Sequence, residues 1–314
     1  SPGRCTSSPK LGRASSGKPC VRRRAPSAGR FPGARGTLKL VSFREKLEAS
    51  CFPVSLEITP PKTLLRGVLR RRASLLRPEV RVVNVIQRPD RLPSLEASIE
   101  LLAMGFEPVL HLVVRGRERE DVAAELRRAG DAGIENVLCI LGDHPVAREP
   151  ERAVKVRDAV ALACEIIPGA FVGATLNQYV EPFDRALGNL LPKLRAGARW
   201  VQTQPVFDLA LLRRAVEAVR SSEPDVSIVA MVMPIESMER AAQMESRLRV
   251  RLPENARRQV EAGGGWELFA EIVQTLRGER IVDGIAVMTF EMDPAPSVGD
   301  QVREALRRSG AFSC

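Results

Sequence analysis

Residues 53–63, PVSLEITPPKT, put one carboxylate, Glu57, inside a short apolar run with the length and composition of a buried strand, stopped by two prolines. A carboxylate there is costly to desolvate unless it is paired or used. Walled by Leu56, Ile58 and Pro60–Pro61, its carboxyl group is expected to have a raised pKa and to keep some of its proton near neutral pH, the property of a general acid. Similar runs further along end in more chemistry-bearing side chains: Gln87, His111 with Arg115, Asp143 with His144, Asn177 to Tyr179, Gln202 with Gln204, and Glu291. Each has a plain structural alternative. Glu57 can be half of an ion pair, and His111, between Leu110 and Leu112, a satisfied core histidine. LGDHP (141–145) can be a Gly-Asp turn, and Gln202 and Gln204 can satisfy each other's amides. A bound apolar ring with polar edges uses all of them in one pocket. Asn189 and Lys193, four apart on one helix face, suit an anionic group, though such a pair alone reads as solvated surface.

These residues need elements to hold them, and the runs can be counted: 53–58, 80–86, 108–114, 136–141, 171–176, 199–204, 226–232 and 284–290. Between them lie segments with apolar residues at three- and four-residue spacing, several ending in Gly. Eight strands, each followed by a helix, predict a parallel (β/α)8 TIM barrel rather than an open doubly wound sheet. The seventh connection holds two helical patterns, 236–247 and 254–277, so an extra helix is expected between strands 7 and 8. In this architecture chemistry sits at the carboxyl ends of the strands, where the polar residues above fall. Ser55 and Glu57 share a parity, so they share a face. No G-x-G-x-x-G follows a strand, which argues against a Rossmann dinucleotide site.

The net charge of +10 would suggest a polyanionic partner if it were spread along the chain. Residues 1–40 hold ten of the 48 basic residues and no acid, leaving 38 against 38 in residues 41–314. The expected organisation is a disordered basic tail, 1–40, and a single barrel domain, 41–314. The tail's Arg- and Ser-rich, acid-poor composition allows a transit peptide, against which stands its lack of amphipathic periodicity. A formally neutral barrel without a charged stripe predicts no nucleic-acid partner, and the lack of an 18-residue apolar run predicts no membrane span. Cys5, Cys20, Cys51, Cys139, Cys164 and Cys314 form no C-x-x-C pair and read as reduced thiols of a cytoplasmic protein. With only His111 and His144 to supply imidazole, no metal site is expected.

SLEITPPKT (55–63), HLVVRGRERE (111–120), GIENVLCILGDHP (133–145), KLRAGARWVQTQPVFD (193–208) and MVMPIESMERAAQM (231–244), in this order on successive barrel elements, resemble the methylenetetrahydrofolate reductase family from about residue 42 to the C-terminus. The resemblance implies a flavoprotein, with FAD or FMN, that passes hydride from NAD(P)H to 5,10-methylenetetrahydrofolate in one-carbon and methionine metabolism. It implies catalytic roles for Glu57, as general acid, and Asp143. It places substrate contacts on Glu57, Asp143 and Gln204, and flavin contacts on His111, Ile140, Leu141, Gly142, Asp143, Ala174, Thr175, Tyr179, Asn189 and Lys193. The chain departs from the family pattern at Leu141, where Arg is frequent, at Thr175, where an aromatic residue is, at Tyr179, where His is, and at Ala186, where an acid is. Two alternatives stay open: a relative acting on another one-carbon pterin carrier or in the oxidative direction, which loop residues such as Gln87 and Tyr179 would decide, and a flavin-free folate- or partner-binding subunit, which Leu141, Thr175 and Ala186 motivate. A homo-oligomer or a small partner subunit is compatible with either.

Overall fold

The computed structural model describes residues 41–143 and 152–313. The expectations for residues 1–40 and for His144 lie outside them. Eight parallel strands, β1 (Val54–Ile58), β2 (Val82–Val85), β3 (Glu107–Val113), β4 (Asn136–Ile140), β5 (Phe171–Leu176), β6 (Trp200–Pro205), β7 (Ser227–Val232) and β8 (Gly284–Met288), close into a barrel in chain order, with β1 pairing both β2 and β8. Val, Ile and Leu dominate the strands because both faces are covered, one by helices and one by the barrel interior. Alternation sorts them: Val54, Leu56 and Ile58 join the core between sheet and helices, while Ser55 and Glu57 point inward as their shared parity requires.

The amino-terminal floor of the barrel is sealed by α1 (Phe43–Glu48), started by a reciprocal capping box between Ser42 and Glu45. Phe43 stands edge-on to Trp200, 5.5 Å between centroids, and packs with Phe171, Val109 and Leu138 inside the barrel. Its backbone N–H donates to Glu107 Oε1 at 2.8 Å, and Asn136 Nδ2 donates to the same oxygen at 3.1 Å, so this low-lying carboxylate serves the floor. Trp200 fits because residue 173 is glycine; a Cβ there would lie 2.3 Å from the indole Cε2. The lower half of the barrel is thus an apolar plug. That leaves polar side chains only one open end.

The β7–β8 connection differs from expectation. It carries three helices, α8 (Met238–Leu248), α9 (Glu254–Glu261) and α10 (Gly265–Gly278), where the 254–277 pattern reads as one. Gly263 takes a left-handed φ of +83°, and a Cβ on Gly265 would lie 1.9 Å from the carbonyl oxygen of Ile235. The chain turns there because only glycine permits that conformation and that approach. The expected set of reduced thiols also needs correction: Cys139 and Cys164 are free, but Cys51 is disulfide-bonded. Pairing depends on which cysteines the fold brings within reach, and spacing along the chain does not encode that.

Candidate active site

Glu57 lies one residue before the end of β1, inside the barrel and 6% exposed. Its Oε2 accepts a hydrogen bond from Gln202 Nε2 on β6 at 3.1 Å and lies 4.0 Å from His111 Nε2 on β3, too far for a hydrogen bond. Burial pushes the carboxyl group up to about 7, and the Gln202 bond pulls it partly back. The same burial holds His111 down at about 4, so the imidazole is neutral at physiological pH and offers no counter-charge. No Lys or Arg pairs with Glu57 among the described residues, which disposes of the ion-pair alternative. The buried atoms Asn84 Oδ1, His111 Nε2 and Gln202 Oε1 have no hydrogen-bond partner. Asn84, beside Glu57 in the β1–β2 register, gives its Nδ2–H to Ser55 Oγ at 2.9 Å. It was not among the expected residues; the signal that marks it is a lone amide in the run VVNV.

Above Glu57 the carboxyl ends of the strands open into a cavity of about 1380 Å³. Its apolar wall includes Val113, Ile140, Leu141, Met231, Met288 and Phe290, and Gln202, Thr203, Gln204 and Thr175 supply polar edges. The loop after β4 is held to β3 by Arg115, whose backbone N–H donates to Leu141 O at 2.9 Å and whose Nε donates to Gly142 O at 2.9 Å. Gly142 has a φ of +92°, and a Cβ there would lie 2.6 Å from Val113 Cγ1, so the loop lies flat on β3 and sets Asp143 on the exposed rim. LGD is therefore a turn, but one that delivers a carboxylate to the cavity.

On β6 the pairing with β7 slips by one residue. Gln202 faces Val229, yet Pro205 rather than Gln204 faces Met231. Thr203 Oγ1 takes the Met231 N–H at 3.1 Å in place of a backbone carbonyl, and consecutive residues Gln202, Thr203 and Gln204 all reach the cavity. The buried Gln178 clamps this bulge, its amide donating to Gln204 O at 2.9 Å and accepting from Gln204 N at 3.0 Å. Gln204 therefore has a fixed backbone and a side-chain amide free for a ligand, and Gln202 and Gln204 do not satisfy each other.

Of the expected site residues, Glu57, His111, Ile140, Leu141, Gly142, Asp143, Thr175 and Gln204 line one cavity. Ala174 does not: Thr175 faces inward, so alternation turns Ala174 into the fully buried sheet–helix core. Tyr179 straps the β5 and β6 loops together, its hydroxyl donating to Pro205 O at 2.7 Å, and burial pushes that hydroxyl up to about 12. Asn189 is exposed on α6 (Phe183–Arg195), and Lys193, one turn on, leans toward Cys139 on the outer face of β4; neither lines the cavity. Gln87 is engaged locally, its Oε1 accepting from Ser94 N at 2.7 Å, and Glu291 pairs with Arg240 at 2.6 Å on the rim.

A closed eight-stranded parallel barrel with a buried, protonatable carboxyl group under a cavity at its strands' carboxyl ends defines a TIM-barrel enzyme. The family model for methylenetetrahydrofolate reductase matches residues 42–264, and the chain belongs to that family. Among solved structures, an uncharacterized protein from Clostridium thermocellum that binds two copies of 5-methyl-5,6,7,8-tetrahydrofolic acid is similar, with a TM-score of 0.60 and 12% identity over 84% of this chain and 98% of that one. A 2,3-dimethylmalate lyase is similar with a TM-score of 0.52 and 10% identity over 86% of each chain. At such identities the likeness is one of fold. No helix among the described residues is long and apolar enough to cross a membrane.

Proposed function

We propose that the protein reduces 5,10-methylenetetrahydrofolate to 5-methyltetrahydrofolate with electrons from NAD(P)H, using FAD or FMN. The observation that carries this reading is Glu57: a buried carboxyl group titrating at about 7, without a cationic partner, at the floor of a cavity with apolar walls and amide edges. Family membership supports it, and so does size, since about 1380 Å³ exceeds the roughly 300–1,000 Å³ of single-ligand pockets and leaves room for two ring systems.

The residues present fit the ring end of a flavin. Val113, Ile140 and Leu141 offer an apolar wall, while Thr175 offers a polar contact to a ring edge. When bound, flavin supplies the two-electron carrier between nicotinamide and folate. The chain's own residues do the rest. Gln204 presents its amide to the pterin edge, and Asp143 places negative charge at the rim. Glu57 gives its proton to the folate's bridging nitrogen; the bond from that nitrogen to the methylene carbon breaks, and the resulting iminium is the hydride acceptor. Glu57 is left as a carboxylate whose Oε2 keeps the Gln202 hydrogen bond.

Two measurements test this. An absorbance spectrum with and without added FAD or FMN reports cofactor binding. Stopped-flow study of Glu57→Gln separates the half-reactions: flavin reduction by NAD(P)H persists, while reoxidation by methylenetetrahydrofolate falls about 100- to 10,000-fold. Reoxidation at the unmutated rate refutes the assignment. A second reading, a folate-binding barrel without flavin, is favoured by one observation: Asn189 and Lys193 stand away from the cavity. A protein that stays colourless with both flavins and binds 5-methyltetrahydrofolate by calorimetry bears that reading out.

A further inference from the structure

We infer that Gln202 is a positioning residue that directs the proton of Glu57 onto Oε1, the oxygen facing the cavity, and keeps it off Oε2. The inference rests on the reading of Glu57 as an acid and adds to it the residue that orients the proton. The two carboxyl oxygens are not equivalent. Oε2 accepts the Gln202 Nε2–H at 3.1 Å and has His111 Nε2 at 4.0 Å. Oε1 makes no hydrogen bond, and it is not one of the buried atoms left unsatisfied, so it is the oxygen open to the cavity. A proton on Oε2 would sit on the oxygen that accepts the Gln202 N–H and turn a carbonyl acceptor into a poorer hydroxyl one, which weakens that hydrogen bond in a buried setting. A proton on Oε1 keeps the bond and faces the substrate.

The other groups that face the carboxyl group carry no charge at neutral pH. From β2 and β8 the residues in register with Glu57 are Asn84 and Met288, which do not titrate; from β3 the facing group is His111, and from β6 Gln202 itself. No charged side chain contributes to the shift of the carboxyl group. Gln202 is 2% exposed, so its amide has little room to move, and the bulge after it, locked by Thr203 and Gln178, fixes its backbone. The hydrogen bond also strengthens once Glu57 has given its proton away, because N–H donors favour the carboxylate over the acid. Gln202 therefore both aims the proton and eases its departure.

The sign of one titration decides the matter. The carboxylic C=O infrared band of Glu57, identified by its loss in Glu57→Gln, is titrated in the protein without flavin or folate. Removing the N–H donor in Gln202→Met is expected to raise the midpoint by about one to two pH units, the worth of a hydrogen bond to a charged group. In the reductase assay the alkaline limb of the folate half-reaction moves up by the same amount, and the NAD(P)H half-reaction does not move. An unchanged midpoint overturns the inference. A lowered one also does, because it means that Gln202 accepts the Glu57 proton through its own oxygen. If Gln202→Met does not fold, the unmutated protein still decides: a C=O accepting the Gln202 bond absorbs at lower frequency than a free one, and a band at the free position overturns the assignment. The infrared readout is independent of the proposed reaction. A raised midpoint in a protein that never reduces methylenetetrahydrofolate sinks the reductase reading alone, and an unmoved midpoint in an active reductase sinks the Gln202 assignment alone.

Discussion

Glu57→Gln should remove activity and add stability, by an amount that follows from the burial of the carboxyl group. In the unfolded chain this carboxyl titrates at its ordinary 4.5, and in the folded protein at about 7. Below pH 4.5 both states hold the proton and burial costs nothing through ionisation. Between 4.5 and 7 the unfolded chain ionises while the native state stays protonated, so native stability falls as pH rises. Above 7 the loss is complete. At about 1.4 kcal/mol per pH unit it amounts to about 3 kcal/mol. Glutamine has no proton to lose and keeps nearly the same shape, so the variant escapes the loss. Urea denaturation of both proteins from pH 4.5 to 8 is the assay: the difference in unfolding free energy should start near zero and grow to about 3 kcal/mol in favour of the variant. His111 is common to both and cancels. At pH 8 the gain corresponds to roughly 6–12 °C in melting temperature. A difference that does not change with pH, or a variant less stable than the parent at pH 8, would refute the claim that the carboxyl group is desolvated without compensation.

His111→Gln should relieve the opposite limb, because burial holds the imidazole at about 4 rather than 6.5; the parent loses about 3 kcal/mol as pH falls through that window, and denaturation curves of the variant should lack the loss. Asp143→Asn should leave the melting temperature unchanged, the residue being exposed on the rim, yet slow folate reduction more than flavin reduction in stopped-flow traces, because the carboxylate acts as a charge at the cavity mouth. Gly173→Ala should destabilise the protein by about 1–3 kcal/mol or more, since its Cβ would collide with Trp200; Trp200→Leu in the same chain should recover part of the loss in a double-mutant cycle.

The barrel and the level at which its polar residues gather were legible in the chain, because alternation and helical spacing are local signals that follow from which face of each element is buried. Ser55 and Glu57 share a face for that reason, and the turn at Gly142–Asp143 was visible from its Gly-Asp pair ahead of a proline. The same alternation could have excluded Ala174, since it cannot face the cavity if Thr175 does. The rest was decided by tertiary structure. The Glu57–Gln202 bond joins residues 145 positions apart, and nothing in either local run tells that they meet across the barrel. The slip in β6 that brings Thr203 and Gln204 both to the cavity shows only when β7 lies alongside. Asn189 and Lys193 form a pair on one face of α6, yet where that helix stands relative to the cavity depends on how it packs against β5. Spacing along a chain reports what one element presents to its surroundings. Which groups it meets, at what distance and with how little water between them, is set by packing, and so is the raised pKa of Glu57.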